Sequence, residues 1–119
     1  MTVVNEGLNA IATLLASEYT VIAIGDGRDS TSASHTGLNN WIAQKTGITP
    51  TVTGTTLTYN VSFTGSEIPA SGVAELGVFA TGTTNGNGTL LSRVTFTSTG
   101  VVGASDTVAF TIRIEVGRE

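Results

Sequence analysis

The 119-residue chain has no cysteine, one lysine among five basic residues, one histidine and two prolines. Without thiols there is no disulfide framework and no thiolate metal site, and redox chemistry says nothing about compartment. Charge is just as scarce. Asp, Glu, Lys and Arg make up 12% of the residues, where about 25% is ordinary. Five basic side chains against nine acidic ones, a net charge of −4, are too few for the phosphate-neutralising stripe of a nucleic-acid binder, so no nucleic-acid partner is expected. Long apolar runs are missing as well: none approaches the roughly 18 residues of a membrane span, and no membrane partner is expected. Met1 to Ser17 lacks a basic leader and is interrupted by Glu6, so it does not read as a secretory signal.

In place of charge there are 22 threonines, 10 serines and 15 glycines. Apolar residues plus glycine still reach about half the chain, the globular norm, which argues against disorder. At this length about two-thirds of the extended chain's surface is buried on folding, enough for one core and one domain spanning 1–119.

Periodicity divides the chain in two. Val4, Leu8, Ile11 and Leu15 recur at helical spacing, predicting an amphipathic helix over about 3–17 with Thr2 or Asn5 as cap and Glu6 at the positive end of its dipole. Tyr19 to Ile24 is a short β-branched run without alternation, the pattern of a strand covered on both faces, with the helix as one cover. The polar stretch GDGRDSTSASHT, residues 25–36, is rich in turn formers. Beyond it Leu38, Trp41 and Ile42 have helical spacing, predicting one or two helical turns or an irregular segment. From residue 55 the period is two: Leu57, Tyr59, Val61 and Phe63 alternate with threonine, asparagine and serine, as a half-buried antiparallel strand requires. Strands are expected over about 19–25, 55–64, 73–80, 88–98 and 106–116. GTTNGNG (82–88) is the loop of a hairpin, and the last two strands read as hairpin partners. The expected fold is mainly β: an antiparallel β-sandwich or curled sheet with an N-terminal amphipathic α-helix.

Chemistry has few places to sit. His35 lies in the polar loop with Ser32, Ser34, Asp26 and Asp29, so a serine–histidine–aspartate set can be spelled, but no nucleophile-elbow pattern accompanies it. Asp26 and Asp29 offer two calcium ligands without a third carboxylate, with Arg28 between them. Gly25 and Gly27 lack the third glycine of a dinucleotide fingerprint. Among the acids, Glu67, Glu75 and Glu115 could pair for glycoside chemistry, but Arg93 and Arg113 are ready partners for Glu75 and Glu115 in cross-strand ion pairs on an outer face. No catalytic, cofactor-binding or metal-binding residue is therefore assigned, no cofactor is expected, and the chain reads as a non-enzyme.

The order of short motifs carries a resemblance. Asn5–Ile11 (NEGLNAI), Ile22–Gly27 (IAIGDG), Thr36–Asn40 (TGLNN), Ala74–Phe79 (AELGVF), Gly88–Phe96 (GTLLSRVTF) and the alternating strand DTVAFTIRIEV run in sequence. This series resembles small virion structural proteins of tailed bacteriophages and related archaeal viruses, in which a G-x-G turn precedes a T-x-L loop and an E-x-G-x-F strand precedes a G-x-L-x-x-R strand. The resemblance implies a tail, neck, fibre-attachment or capsid-surface component located in the virion, with other virion proteins and further copies of itself as partners. It also implies scaffold roles for Glu75, Gly77 and Phe79. Where such proteins often carry an acidic residue and an arginine after T-G-L, this chain reads NNWIAQKTG, so no role is carried over there. Low charge, threonine-rich strands and a single lysine to guard sheet edges independently suit a subunit of a symmetric homo-oligomer. A receptor- or carbohydrate-binding sandwich module using Trp41, Asp26 and Asn85 is the alternative.

Overall fold

A computed structural model describes residues 2–32 and 34–117. The order of elements is helix α1 (Asn5–Glu18), strands β1 (Val21–Gly25), β2 (Trp41–Lys45), β3 (Thr51–Thr53) and β4 (Thr56–Thr64), a 3-10 turn (Gly65–Glu67), then β5 (Glu75–Phe79), β6 (Leu90–Thr95) and β7 (Thr107–Glu115). The strands form two antiparallel sheets, ordered β2-β1-β5-β6 and β3-β4-β7. The mainly β, helix-led architecture expected from periodicity is present, as a sandwich.

The core lies between the sheets. Ile22, Ile24, Leu76 and Val78 from one sheet meet Leu57, Tyr59, Val61 and Phe63 from the other. The alternation along β4 places these four inward and Asn60 and Ser62 in solvent, as a two-residue period dictates. The Tyr59 hydroxyl reaches the Tyr19 carbonyl at 2.7 Å, so this buried phenol has a partner for its proton. Burial pushes its pKa up to about 12.

Helix α1 begins behind Val4, with no side-chain cap at that position. Its packed face is centred on Leu8 and Ala12, joined by Leu15 and Ala16. Val4 and Ile11, expected on the packed face, are 63% and 40% exposed. The apolar arc of this helix is wider than the β3–β4 surface it rests on, and the excess faces out.

Three further expectations are corrected. Trp41–Lys45 is a strand and not a helical turn, because pairing with β1, Ile24 to Ala43 and Ile22 to Lys45, supplies its backbone hydrogen bonds. Weak local periodicity yields to that tertiary partner. The short strand β3 was not expected. It folds back on β4 through Gly54-Thr55, with Gly54 at φ +60°, a backbone conformation that glycine adopts without strain. Finally, β6 and β7 are not hairpin partners. β6 pairs with β5 and β7 with β4, and residues 96–106 carry the chain from one sheet to the other. That crossing passes Gly65, whose amide is 2.8 Å from the Asp106 carbonyl. A Cβ on Gly65 would stand 1.8 Å from the Gly103 oxygen.

Candidate functional site

All five residues of β1 and of β5 are buried, so the first sheet is covered on both faces, as the unalternating β1 predicts. Its second cover is not the helix. The polar loop 26–40 folds back across the outer face, where Leu38 and Trp41 pack on Val21, Ala23 and Phe79.

Glu75 pins this cover. Its carboxylate is fully buried and accepts the backbone N–H groups of Gly27 (2.8 Å), Asn39 (2.8 Å) and Asn40 (2.7 Å), and Nε of Arg93 (2.9 Å). Burial alone would raise its pKa, but these hydrogen bonds outweigh it and hold the group below its usual range, as amide donors to a carboxylate do. The G-x-G turn has a matching cause. A Cβ on Gly25 would lie 2.4 Å from Glu75 Oε2, and one on Gly27 2.5 Å from it. Both glycines make room for the carboxylate and for the residues that donate to it, since the same Cβ atoms would lie 2.4 Å from the Asn40 carbonyl oxygen and 2.3 Å from Asn39 Cβ, respectively. Gly77 makes similar room for side chains, since a Cβ there would meet Leu38 and Phe79 at 2.9 Å.

The expected outer-face pairs are thus half corrected. Glu75 and Arg93 do pair, but inside, with side chains 0% and 1% exposed, because the loop covers that face. Glu115 and Arg113 form no ion pair with each other among the described residues. Glu67, for which no cross-strand arginine is expected, binds Lys45 at 3.0 Å and caps the turn after β4 through Thr64. The Thr64 amide, helped by Lys45, lowers its pKa.

The spelled catalytic set does not assemble. His35 Nδ1 accepts the Ser32 amide at 3.1 Å and faces Arg93 Nη1 at 3.4 Å, while the Ser32 hydroxyl bonds Ser34 at 3.0 Å. A ring nitrogen already accepting a backbone proton is not poised to deprotonate serine. Asp26 is engaged by the Asn40 amide group and by the Ser71 hydroxyl at 2.5 Å. The Ser71 bond is the main reason its pKa falls. Asp29 contributes its carbonyl to Arg93 Nη1 at 3.0 Å. Among the described residues no three His, Asp or Glu side chains gather in a metal-binding group.

Trp41 is engaged with the 82–88 loop, on which Asn85 is exposed at φ +49°. The indole N–H donates to Gln44 Oε1 at 3.3 Å, which also accepts the Gly86 amide at 3.0 Å, while Gln44 Nε2 holds the Thr83 carbonyl at 2.8 Å. Trp41 therefore anchors the 82–88 loop.

Compared with known families and curated proteins, the sequence matches no family model and no curated relative.

The flank opposite the helix has no signal in the sequence. The free edges of β6 and β7 border an open groove of about 450 Å³, lined by the apolar Leu76, Val78, Val94, Ile112 and Ile114 and by the polar Ser92, Arg93, Thr111 and Arg113. The inner residues of β4 are all buried. Their register partners Val108, Phe110, Ile112 and Ile114 on β7 are only half-buried, and Val94 is 45% exposed. Alternation alone assigns both strands to the core equally. The difference arises because β7 is an edge.

Proposed function

We propose that the chain is a non-enzymatic structural subunit that assembles as a symmetric homo-oligomer, and, from its motif order, that it belongs to a virion, with other virion proteins as further partners. One observation carries the assembly reading: a sandwich whose inner apolar residues stay half-exposed along the β6–β7 flank. Apolar surface left in water on a contiguous flank favours association. β7 pairs with β4 on one side only; its other side, along Thr107–Glu115, carries the alternate backbone groups that β4 does not reach, with neither lysine nor proline in the strand, and such an edge accepts neighbours. The polar residues that suggested chemistry support the same reading, since Glu75, Arg93, Asp26 and Trp41 are occupied in holding loops 26–40 and 82–88 to the sheet.

Native mass spectrometry tests the proposal. A single closed stoichiometry above one is expected at micromolar concentration. A monomer persisting to millimolar concentration overturns it.

A further inference from the structure

The outward part of the helix's apolar arc is a surface of its own. Ile11 and Leu14, 40% and 64% exposed, fall on one stripe at 100° per residue, and the N-cap residue Val4, 63% exposed, stands at its N-terminal end. Glu18 stands on the same stripe at its C-terminal end. The helix carries no basic residue in its last turn, so Glu18 adds negative charge to the negative end of the dipole, an unfavourable placement that a cation would relieve. Across the molecule the relation is reversed. The β6–β7 groove has an apolar floor with Ser92, Arg93 and Thr111 beside it, and it is also lined by Arg113, an exposed cation with no acidic partner among the described residues. The dimensions agree: 14 helical residues span about 21 Å, and the six residues of β6 about 20 Å.

Resting on the assembly reading above, we infer that the exposed stripe of α1 in one copy seats in the β6–β7 groove of the next, with Glu18 meeting Arg113. The helix packs on β3 and β4 of its own sheet, on the side away from the free edge of β7, and Val4, Ile11, Leu14 and Val94 are all exposed, so the stripe does not fill its own groove. The contact is therefore between copies and heterologous, head to tail. Such a contact closes into a ring or runs on as a filament. Val4, Ile11 and Leu14 would cover Val94, Ile112 and Ile114, and the charge pair would set direction and register.

Charge exchange tests this pairing. Glu18→Arg and Arg113→Glu each place like charges together at the contact, and each is expected to raise the concentration for half-assembly at least about tenfold. The double variant, Glu18→Arg with Arg113→Glu, is expected to restore assembly to within about threefold of the original chain. Both side chains are exposed, and thermal melting of the dissociated subunit no lower than that of the original chain checks that the variants fold, with Glu18→Arg expected to melt slightly higher because it complements the helix dipole. If the original chain assembles but the single reversals leave assembly unchanged, or the exchange fails to restore it, this interface is wrong while the assembly reading stands. If the original chain never assembles, both fall.

Discussion

Glu75 Oε2 accepts the amide proton of Gly27 at 2.8 Å and lies 2.5 Å from where a Cβ on that residue would be. The two residues are separated by 48 positions in the chain, and Asn39, whose Cβ lies 2.3 Å from the same Cβ position, closes the space from the other side. A buried carboxylate needs donors close by, and a backbone can approach it this closely only without a side chain in the way. The G-x-G and E-x-G-x-F motifs are two halves of one staple fastening loop 26–40 to the first sheet.

Gly25→Ala or Gly27→Ala should therefore destabilise the fold by about 1–3 kcal/mol through overpacking. Gly37→Ala, whose Cβ would meet nothing closer than 3.8 Å, should stay within about 0.5 kcal/mol. Urea denaturation separates the two. Equal losses at all three positions would show that close packing around the Glu75 carboxylate does not set the glycine requirement.

Removing the charge should cost more. Glu75→Gln leaves the Arg93 guanidinium buried beside a neutral group, and breaking a buried pair from one side costs about 3–5 kcal/mol. Arg93 Nη2 already has no hydrogen-bond partner among the described residues, so the arginine has nothing in reserve. Exchange protection of the Asn39 and Asn40 amides should vanish in this variant before that of β1. Retained protection at those amides would argue against the staple.

Acid should act through the same group. The folded-state pKa of Glu75 lies below its unfolded value of 4.5, as those of Glu67 and Asp26 lie below theirs. Their stabilisation is complete above the unfolded values and lost as pH falls through the folded ones. Unfolding free energy measured from about pH 7 to about pH 3 should decline below roughly pH 4.5, more shallowly in Glu75→Gln. At the alkaline end Tyr59, pushed up to about 12, stabilises fully below its ordinary value of 10.0, and that contribution disappears as pH rises through the higher one.

The open flank makes its own forecast. Leu57→Ala, at a fully buried site, should cost about 2–5 kcal/mol at any protein concentration. Ile114, its register partner, is half-buried, and Ile114→Ala should cost less in the dilute subunit. That cost should grow with concentration if a neighbouring copy covers the flank. Melting curves at two concentrations a hundredfold apart test it, and a concentration-independent difference would speak against coverage.

Gly86 combines φ +75° with a Cβ position 2.7 Å from Trp41 Cδ1. Gly86→Ala should strain the 82–88 loop by about 1 kcal/mol or more and shift the emission of the single tryptophan. An unchanged spectrum and stability would detach Trp41 from that loop.

Much of this architecture is written locally. Leu57, Tyr59, Val61 and Phe63 alternate strictly, and the strand follows, because one side of a pleat must meet oil and the other water. Val108 to Val116 obeys the same rule, the helical spacing of Leu8 and Leu15 announces α1, and GTTNGNG marks the β5–β6 turn. The staple left a fainter trace: one acidic residue in the otherwise apolar run VAELGVF, in a chain with little charge to spare. Its burial was not legible, because the covering atoms come from a loop some 35–48 positions away.

Trp41–Lys45 shows the other limit. Every residue there is half-buried, so neither a two-residue nor a 3.6-residue period is imprinted, and only pairing with β1 makes it a strand. Sheet membership of β6 and β7 is likewise a tertiary outcome, since similar alternating strands satisfy their hydrogen bonds equally well with each other or apart. The sequence by itself determined which residues seek burial and where the chain turns. Tertiary structure decided which strands share a sheet, that Glu75 lies inside, and that the β6–β7 flank is left open. Those depend on which distant backbone arrives to fill or vacate the space.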